Sequence, residues 1–155
     1  MKKPTLKEAK KKIYRFCAYQ ERSHKQVKIR LKSFGLSSQQ VDEITVELIG
    51  EGFLNEERFA RAFAGGKFRL KKWGKLRIIR ELEMQEVSAN CIMLALKEIE
   101  TEDYLLSLKK LLERKLRSLD VSNPFVRRDK AARYAITKGF EPELVWRELR
   151  LLLSN

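Results

Sequence analysis

The sequence repeats one pattern of apolar and turn residues three times. A segment that reads Leu-x3-Gly-Leu-Ser-x3-Val-x6-Leu begins at Leu31, and related segments begin 51 residues later at Leu82 and a further 53 residues later at Ala135. A unit of about this size buries too little surface to be firmly stable alone, so neighbouring units are expected to share their cores in an elongated, curved array. The predicted modules are 1–52, 53–100 and 101–155.

Apolar residues recur three and four positions apart almost throughout the chain, which is typical of amphipathic α-helices. Only three prolines and seven glycines interrupt this pattern, and no segment alternates as a strand would, so the sequence predicts an all-α fold. We expect nine helices, three in each module, starting at capping residues. The expected N-terminal caps are Thr5, Ser23, Ser37 or Ser38, Asn55, Ser88 and Thr101, and Pro124 fits the first turn of the eighth helix.

The chain carries a large excess of positive charge. Its 155 residues include 34 Lys and Arg against 21 Asp and Glu, which gives a formal net charge of +13 and a pI near 9.9. An excess of this size is typical of proteins with polyanionic partners, most often nucleic acid. The three modules carry surpluses of 6, 3 and 4 positive charges in chain order. That distribution favours a long basic surface over a basic tail.

The middle module concentrates its cations in one stretch of fourteen residues. From Lys67 to Arg80 half of the residues are basic and none is acidic. Phe68 and Trp73 lie within the stretch and could stack on bases, although we favour a core or hinge role for both. We expect the stretch to contact a polyanion, with further contacts from the eighth helix. The predicted binding residues are Lys67, Arg69, Lys71, Lys72, Lys75, Arg77 and Arg80, with Arg128 and Arg133 as secondary contacts.

Two adjacent glycines, Gly65 and Gly66, interrupt the fourth predicted helix. Each costs about 1 kcal/mol relative to alanine in a helix interior. The pair therefore predicts either a kink or a close approach of some group to the helix backbone.

The sequence contains no constellation that indicates catalysis or metal binding. Its one histidine, His24, lies at a helix start, and Cys17 and Cys91 lie on apolar helix faces as small core residues. Neither a zinc-ligand spacing nor a glycine-rich phosphate loop occurs. No apolar run could span a bilayer, and the N-terminus does not resemble a secretory signal. We expect a cytoplasmic protein, monomeric and not an enzyme, with no metal or cofactor.

A nine-residue segment resembles the signature of the RecX family of bacterial recombination regulators. The family pattern is approximately G-[YF]-L-[DN]-[DE]-x-R-[FY]-A, and the segment from Gly52 reads GFLNEERFA. A basic stretch, a glycine and an Arg-Ile-x3-Leu helix start follow it, as in the family. Glu86 departs from the pattern, because the family usually has glycine there, and that turn could differ in shape. The matching residues are Gly52, Phe53, Leu54, Arg58, Phe59, Ala60 and Gly74.

The resemblance implies a modulator of the RecA recombinase that acts in recombination, DNA repair and the SOS response. Family members bind RecA, lie in the groove of the RecA–DNA filament, and generally block its ATPase, strand-exchange and co-protease activities. The implied partners are the RecA filament and single- and double-stranded DNA. The residues themselves leave an alternative open, namely a stand-alone basic helical protein that binds DNA or RNA without a protein partner.

Overall fold

A computed structural model describes residues 2–154, and over that range the chain forms nine α-helices and no strand. The all-α prediction is therefore confirmed, and each helix lies where the apolar periodicity indicates. The helices are α1 (Leu6–Tyr19), α2 (His24–Ser33), α3 (Ser38–Gly50), α4 (Glu56–Lys71), α5 (Lys75–Met84), α6 (Ala89–Leu96), α7 (Thr101–Ser118), α8 (Pro124–Thr137) and α9 (Pro142–Leu153).

Side-chain caps begin most helices at the predicted residues. Ser23 and Ser37 each form a capping box, in which the serine hydroxyl accepts a hydrogen bond from the N–H of a glutamine three residues on, and the serine N–H donates to that glutamine's side chain. The prediction that Thr101 caps the seventh helix is wrong. The extended backbone lies one residue earlier, at Glu100 (φ −71°, ψ 141°), so Thr101 is already helical and no side chain caps α7.

The copies of the repeat place equivalent residues in equivalent environments. Leu31, Leu82 and Ala135, which begin the three copies, are all fully buried. The three copies also share an apolar position ten residues further on, and the residues there are buried as well. Those residues are Val41, Ile92 and Val145.

Glu86 adopts the same left-handed turn as its glycine equivalents. Its φ is +60°, compared with +83° at Gly35 and +104° at Gly139. The residues that follow Glu86 and Gly139 each donate their N–H to the carbonyl five residues back, at 3.1 and 3.2 Å. A residue with a Cβ pays about 1–2 kcal/mol for this conformation. The turn at Glu86 therefore has the left-handed conformation of Gly35 and Gly139 and the same closing hydrogen bond as the turn at Gly139.

The chain divides into two compact units. Unit 1 comprises Met1–Ala62 and Leu82–Leu94, and unit 2 comprises Phe63–Glu81 and Ala95–Asn155. The predicted module boundaries at 52/53 and 100/101 remain a prediction.

The core of unit 1 forms where α1 packs against α2 and α2 against α3. Apolar residues three and four apart on each helix bring one face of each to this core. Cys17 belongs to it, as predicted, whereas Cys91 on α6 is only partly buried. The core residues are Ile13, Cys17, Val27, Leu31, Val41, Ile44, Leu48 and Leu54.

Unit 2 joins α5 to α8 through two glycines. The N–H of Gly74 donates to the carbonyl of Lys138 at 2.8 Å, and the N–H of Leu76 donates to the carbonyl of Gly139 at 2.9 Å. A Cβ at Gly74 would lie 2.2 Å from the backbone carbon of Gly139. Because the obstructing atoms are backbone, no side-chain rearrangement could relieve the clash, and glycine is required at position 74.

Candidate functional site

Unit 2 contains a groove of about 630 Å³ whose lining is strongly cationic. The end of α4, one face of α7 and the end of α8 form it. Asp103 is the one acidic residue among those that line it, and Phe68, Leu106, Leu111 and Tyr134 provide apolar surface. The cationic lining residues are Arg69, Lys72, Lys110, Arg114, Lys115 and Lys138.

α7 contributes most of the groove wall because of its residue spacing. Positions 103, 107, 110, 114 and 118 recur three and four apart, so they share one face of the helix. Lys110 and Arg114 lie one turn apart on this face and are both exposed. A different face of α7 is buried in the core, through Tyr104, Leu108, Leu112 and Leu116.

Within residues 2–154, none of the six groove cations forms an ion pair with a carboxylate. The Lys72 ammonium donates instead to the carbonyl of Arg69 at 2.8 Å. The Lys115 ammonium lies 4.5 Å from the centre of the Tyr134 ring. Carbonyl and ring partners orient these groups without neutralising them, so the groove keeps a positive potential that attracts anions.

Lys138 lies close to two cations that do not line the groove, Lys71 and Arg77. Its ammonium donates to the carbonyl of Lys71 at 2.8 Å. Burial lowers the pKa of Lys138, and the neighbouring charges of Arg77 and Lys71 lower it further. Three cations with mutual repulsion form an arrangement that a bound phosphate would stabilise.

Gly65 provides space for a groove residue. A Cβ at Gly65 would lie 2.9 Å from Nη2 of Arg69, whereas a Cβ at Gly66 would meet nothing within 4 Å. Of the two alternatives that the glycine pair raised, the close approach to the helix backbone is therefore observed, and the approaching group is the Arg69 guanidinium.

Only part of the predicted cationic stretch lines the groove. Arg69 and Lys72 line the groove, whereas Lys67 and Arg77 lie over the indole of Trp73, at 5.1 and 4.2 Å from a ring centre. The other predicted residues of the stretch do not line the groove: Lys71, Lys75 and Arg80.

The secondary contacts predicted on α8 also lie outside the groove lining. Arg128 pairs with Asp129 at 3.3 Å and lies 5.5 Å from the centre of the Trp146 ring, so a neighbouring carboxylate partly offsets its charge. Arg133 is exposed on the same helix.

The aromatic residues of the stretch are mainly structural. Phe68 is 8% exposed and packs against Tyr104 with ring centres 5.9 Å apart, which confirms the core interpretation. The Tyr104 hydroxyl accepts a hydrogen bond from the N–H of Lys75 at 2.9 Å and donates one to Glu141. Burial and the hydrogen bond to Glu141 raise the pKa of Tyr104 well above its ordinary value. This residue therefore ties the start of α5 to α7 and to the start of α9.

Four of the groove cations lie outside the predicted binding residues: Lys110, Arg114, Lys115 and Lys138. Three of them lie between Lys109 and Arg117, where five of nine residues are basic, but this segment also contains Glu113, whereas residues 67–80 contain no acidic residue. The sequence feature that could have indicated Lys110 and Arg114 is their separation of four residues, which places both on one helix face. Only the fold shows that this face lines a groove with the end of α4.

The family-like segment has structural roles in unit 1. Leu54 is 1% exposed, and Ala60 is fully buried. Arg58 forms an ion pair with Glu21 at 2.6 Å and donates to the carbonyl of Gly52 at 2.9 Å. Gly52 itself has a φ of +80°. These residues fix the connection between α3 and α4.

The other aromatic members of this segment pack as well. Phe53 contacts the ring of Tyr14 edge-on, with centres 4.7 Å apart. Phe59 is 5% exposed and belongs to the core. The segment therefore contributes to the packing of unit 1.

The fold and the site together define a basic, all-α protein built from repeated helical modules. Models of the RecX family match it: the second three-helix domain of RecX matches residues 55–96, and the third matches residues 102–149. The two matches together span more than half of the chain. The chain belongs to the RecX family.

A curated relative supports the assignment. The regulatory protein RecX of Oceanobacillus iheyensis is 26% identical to this chain over 143 residues. The match covers 92% of this chain and 53% of the relative. The chain therefore spans about half the length of the curated relative it matches.

Two solved structures share the fold. The crystal structure of RecX from Lactobacillus salivarius has a TM-score of 0.84 at 18% identity, covering 95% of this chain and 96% of that one. A crystal structure of regulatory protein RecX has a TM-score of 0.78 at 20% identity, covering 90% of this chain and 70% of that one.

Over residues 2–154, no helix is both long and apolar enough to cross a membrane. Over the same range, no group of three or more His, Cys, Asp or Glu side chains could hold a metal ion.

Proposed function

We propose that this chain regulates homologous recombination by binding the RecA–DNA filament and inhibiting the ATPase, strand-exchange and co-protease activities of RecA. Membership of a family of regulatory proteins supports a regulatory role. The unneutralised cationic groove of unit 2 is the observation that carries the filament-binding part of the proposal. In this function the protein acts in the cytoplasm as a monomer and has no catalytic activity of its own.

The groove has the chemistry that binding to a phosphate backbone requires. Its two guanidiniums, Arg69 and Arg114, can each bind a phosphate through two parallel N–H donors. Its four ammoniums add positive charge, and their contacts with phosphates would release condensed counterions from the nucleic acid. Binding through these contacts would be strongly weakened by salt. A chain held on the filament in this way would obstruct the movements that ATP turnover and strand exchange need.

Charge reversal in the groove tests this function. We expect Lys110→Glu combined with Arg114→Glu to raise the concentration needed for half-inhibition of the RecA ATPase on single-stranded DNA by about tenfold or more, because two phosphate contacts become repulsive. The matched control is Lys109→Glu with Arg117→Glu, which makes the same charge change on α7 at residues that do not line the groove. The control should remain within about twofold of the unmodified chain.

Two results would contradict the proposal. An equal loss of inhibition in both double variants would show that net charge, rather than the groove, decides binding. Tight binding to bare DNA in an anisotropy titration, with no gain when RecA is added, would favour the alternative of a stand-alone nucleic-acid-binding protein. Circular dichroism of each variant should show unchanged helical content.

A further inference from the structure

A continuous line of alternating cations and aromatic rings runs across α1 and α2 of unit 1. Lys12 lies 5.8 Å from the centre of the Phe34 ring, and Arg30 lies 5.7 Å from the same ring. Arg30 also lies 5.4 Å from the centre of the Phe16 ring. We name this arrangement the cation–aromatic ladder, and its members in spatial order are Lys12, Phe34, Arg30, Phe16, Arg22 and Tyr19.

The centre of the ladder holds two guanidiniums at one ring. Arg22 lies 3.7 Å from the centre of the Phe16 ring, the ring that Arg30 also approaches. The Nε of Arg22 donates to the carbonyl of Phe16 at 2.9 Å, which fixes its position. Within residues 2–154 neither guanidinium forms an ion pair with a carboxylate. Two like charges that approach one ring favour an anion nearby.

The end of the ladder presents an open aromatic surface. Tyr19 is 83% exposed, and Arg22 lies 6.0 Å from its ring centre. A nucleic-acid base could stack on this ring, because every base has a flat π-face. Surfaces that bind single strands share two features. They have cations along the path of the nucleic-acid backbone and aromatic rings on which bases stack.

We propose that the cation–aromatic ladder binds single-stranded nucleic acid, with phosphates at Arg22 and Arg30 and an unpaired base on Tyr19. A duplex does not fit this chemistry, because its bases are already stacked inside the helix. The ladder and the groove of unit 2 share no residue. This inference goes beyond the proposed function, since it requires only the chain and a nucleic acid, without RecA.

Substitution at Tyr19 tests the stacking contact. In a fluorescence-anisotropy titration with labelled oligothymidylate and no RecA, Tyr19→Ala should weaken binding about fivefold or more. Tyr19→Phe keeps the ring and should bind within about twofold of the unmodified chain. The exposure of Tyr19 makes both substitutions compatible with folding. Unchanged binding of Tyr19→Ala would overturn the inference.

Substitution at Arg30 tests the phosphate contact. Arg30→Gln should reduce the slope of log K against log salt concentration by about 0.7, the value for one phosphate contact on a single strand. Lys28→Gln removes one positive charge from the same helix outside the ladder, and is the matched control. An equal change of slope in both variants would overturn the inference.

Competition by inorganic polyphosphate and by polyglutamate distinguishes single-stranded nucleic acid from other polyanionic ligands. Tyr19→Ala should leave the affinity for polyphosphate unchanged, because that polymer has no bases, whereas Arg30→Gln should lower it. Single-strand recognition is excluded if Tyr19→Ala weakens the binding of polyphosphate as much as that of oligothymidylate. It is also excluded if polyglutamate competes as well as unlabelled polythymidylate. Inhibition of the RecA ATPase is measured in a separate assay. A chain that does not bind oligothymidylate through the ladder but still inhibits RecA would overturn this inference and leave the proposed function intact.

Discussion

Units 1 and 2 share one kind of connection between helices and differ in another. In unit 1, carboxylates accept across helices: Tyr14 donates to Glu51 at 2.8 Å, and Arg58 pairs with Glu21 at 2.6 Å. In unit 2 Tyr104 likewise donates to Glu141, and backbone groups make a further junction, where Gly74 lies against Gly139.

This difference has a consequence for charge. A junction made by peptide groups needs no cation, so the lysines and arginines of unit 2 can line a groove unpaired. In unit 1 some cations form ion pairs with carboxylates, whereas the cations of the ladder lie over aromatic rings. Both units place cations over aromatic rings, and unit 2 also gathers six cations in one groove suited to phosphates.

The largest expected effect is at the backbone junction of unit 2. Gly74→Ala should lower the free energy of unfolding by about 3 kcal/mol or more, because the new Cβ would overlap the backbone of Gly139. Urea denaturation measures the change, and hydrogen exchange should locate it in α5 and α8. The control Gly66→Ala meets open space and should stabilise the chain by up to about 1 kcal/mol. A Gly74→Ala variant as stable as the unmodified chain would contradict the account of this junction.

An intermediate effect is expected in unit 1 at alkaline pH. Burial, and then the hydrogen bond to Glu51, raise the pKa of Tyr14 to about 12. In the unfolded chain Tyr14 loses its proton near its ordinary pKa of 10, while the folded chain still holds the proton. The free energy of unfolding should therefore fall as pH rises from about 10 to about 12, by about 1–2 kcal/mol.

Tyr14→Phe isolates this contribution from the titration of lysines in the same range. The fall in stability should be smaller in the variant than in the unmodified chain, as measured by urea denaturation at several pH values. Identical pH dependence in the two proteins would show that Tyr14 does not titrate differently in the folded state.

The smallest effect concerns the turn that the copies of the repeat share. Glu86→Gly should raise the free energy of unfolding by about 0.5 kcal/mol, because relief of the left-handed strain exceeds the extra entropy of glycine in the unfolded chain. The control Glu83→Gly makes the same replacement inside α5 and should lower stability by about 1 kcal/mol. Thermal denaturation compares them, and destabilisation by Glu86→Gly would contradict the equivalence of the three turns.

The sequence predicted local structure well because local structure depends on nearby residues. Ser23 and Ser37 cap their helices through contacts with glutamines three residues away, and the apolar spacing places Leu31 and Leu82 in cores. The error at Thr101 is of the same local kind. Threonine is a residue type favoured at the N-cap, but the backbone enters the helix one residue earlier, after Glu100, whose side chain makes no capping hydrogen bond.

The cationic site was predictable only in part. A dense run of basic residues indicated a polyanionic partner and included Arg69 and Lys72, which line the groove. The same run included Lys67 and Arg77, which lie over Trp73 instead. Counting charges along the chain cannot separate these pairs, because helix rotation and packing decide which way each side chain points.

The sequence by itself determined that the chain is helical, repeated and basic, since helical periodicity, capping and net charge are properties of short segments or of composition. It also identified the RecX family through a segment that fixes one helix connection. Only the tertiary structure determined which cations share a groove, why glycine is needed at position 74, and that cations and rings alternate across α1 and α2. The groove and the glycine junction depend on segments far apart in the chain, and the ladder depends on how α1 packs against α2. Only the packing of the cores brings these groups together.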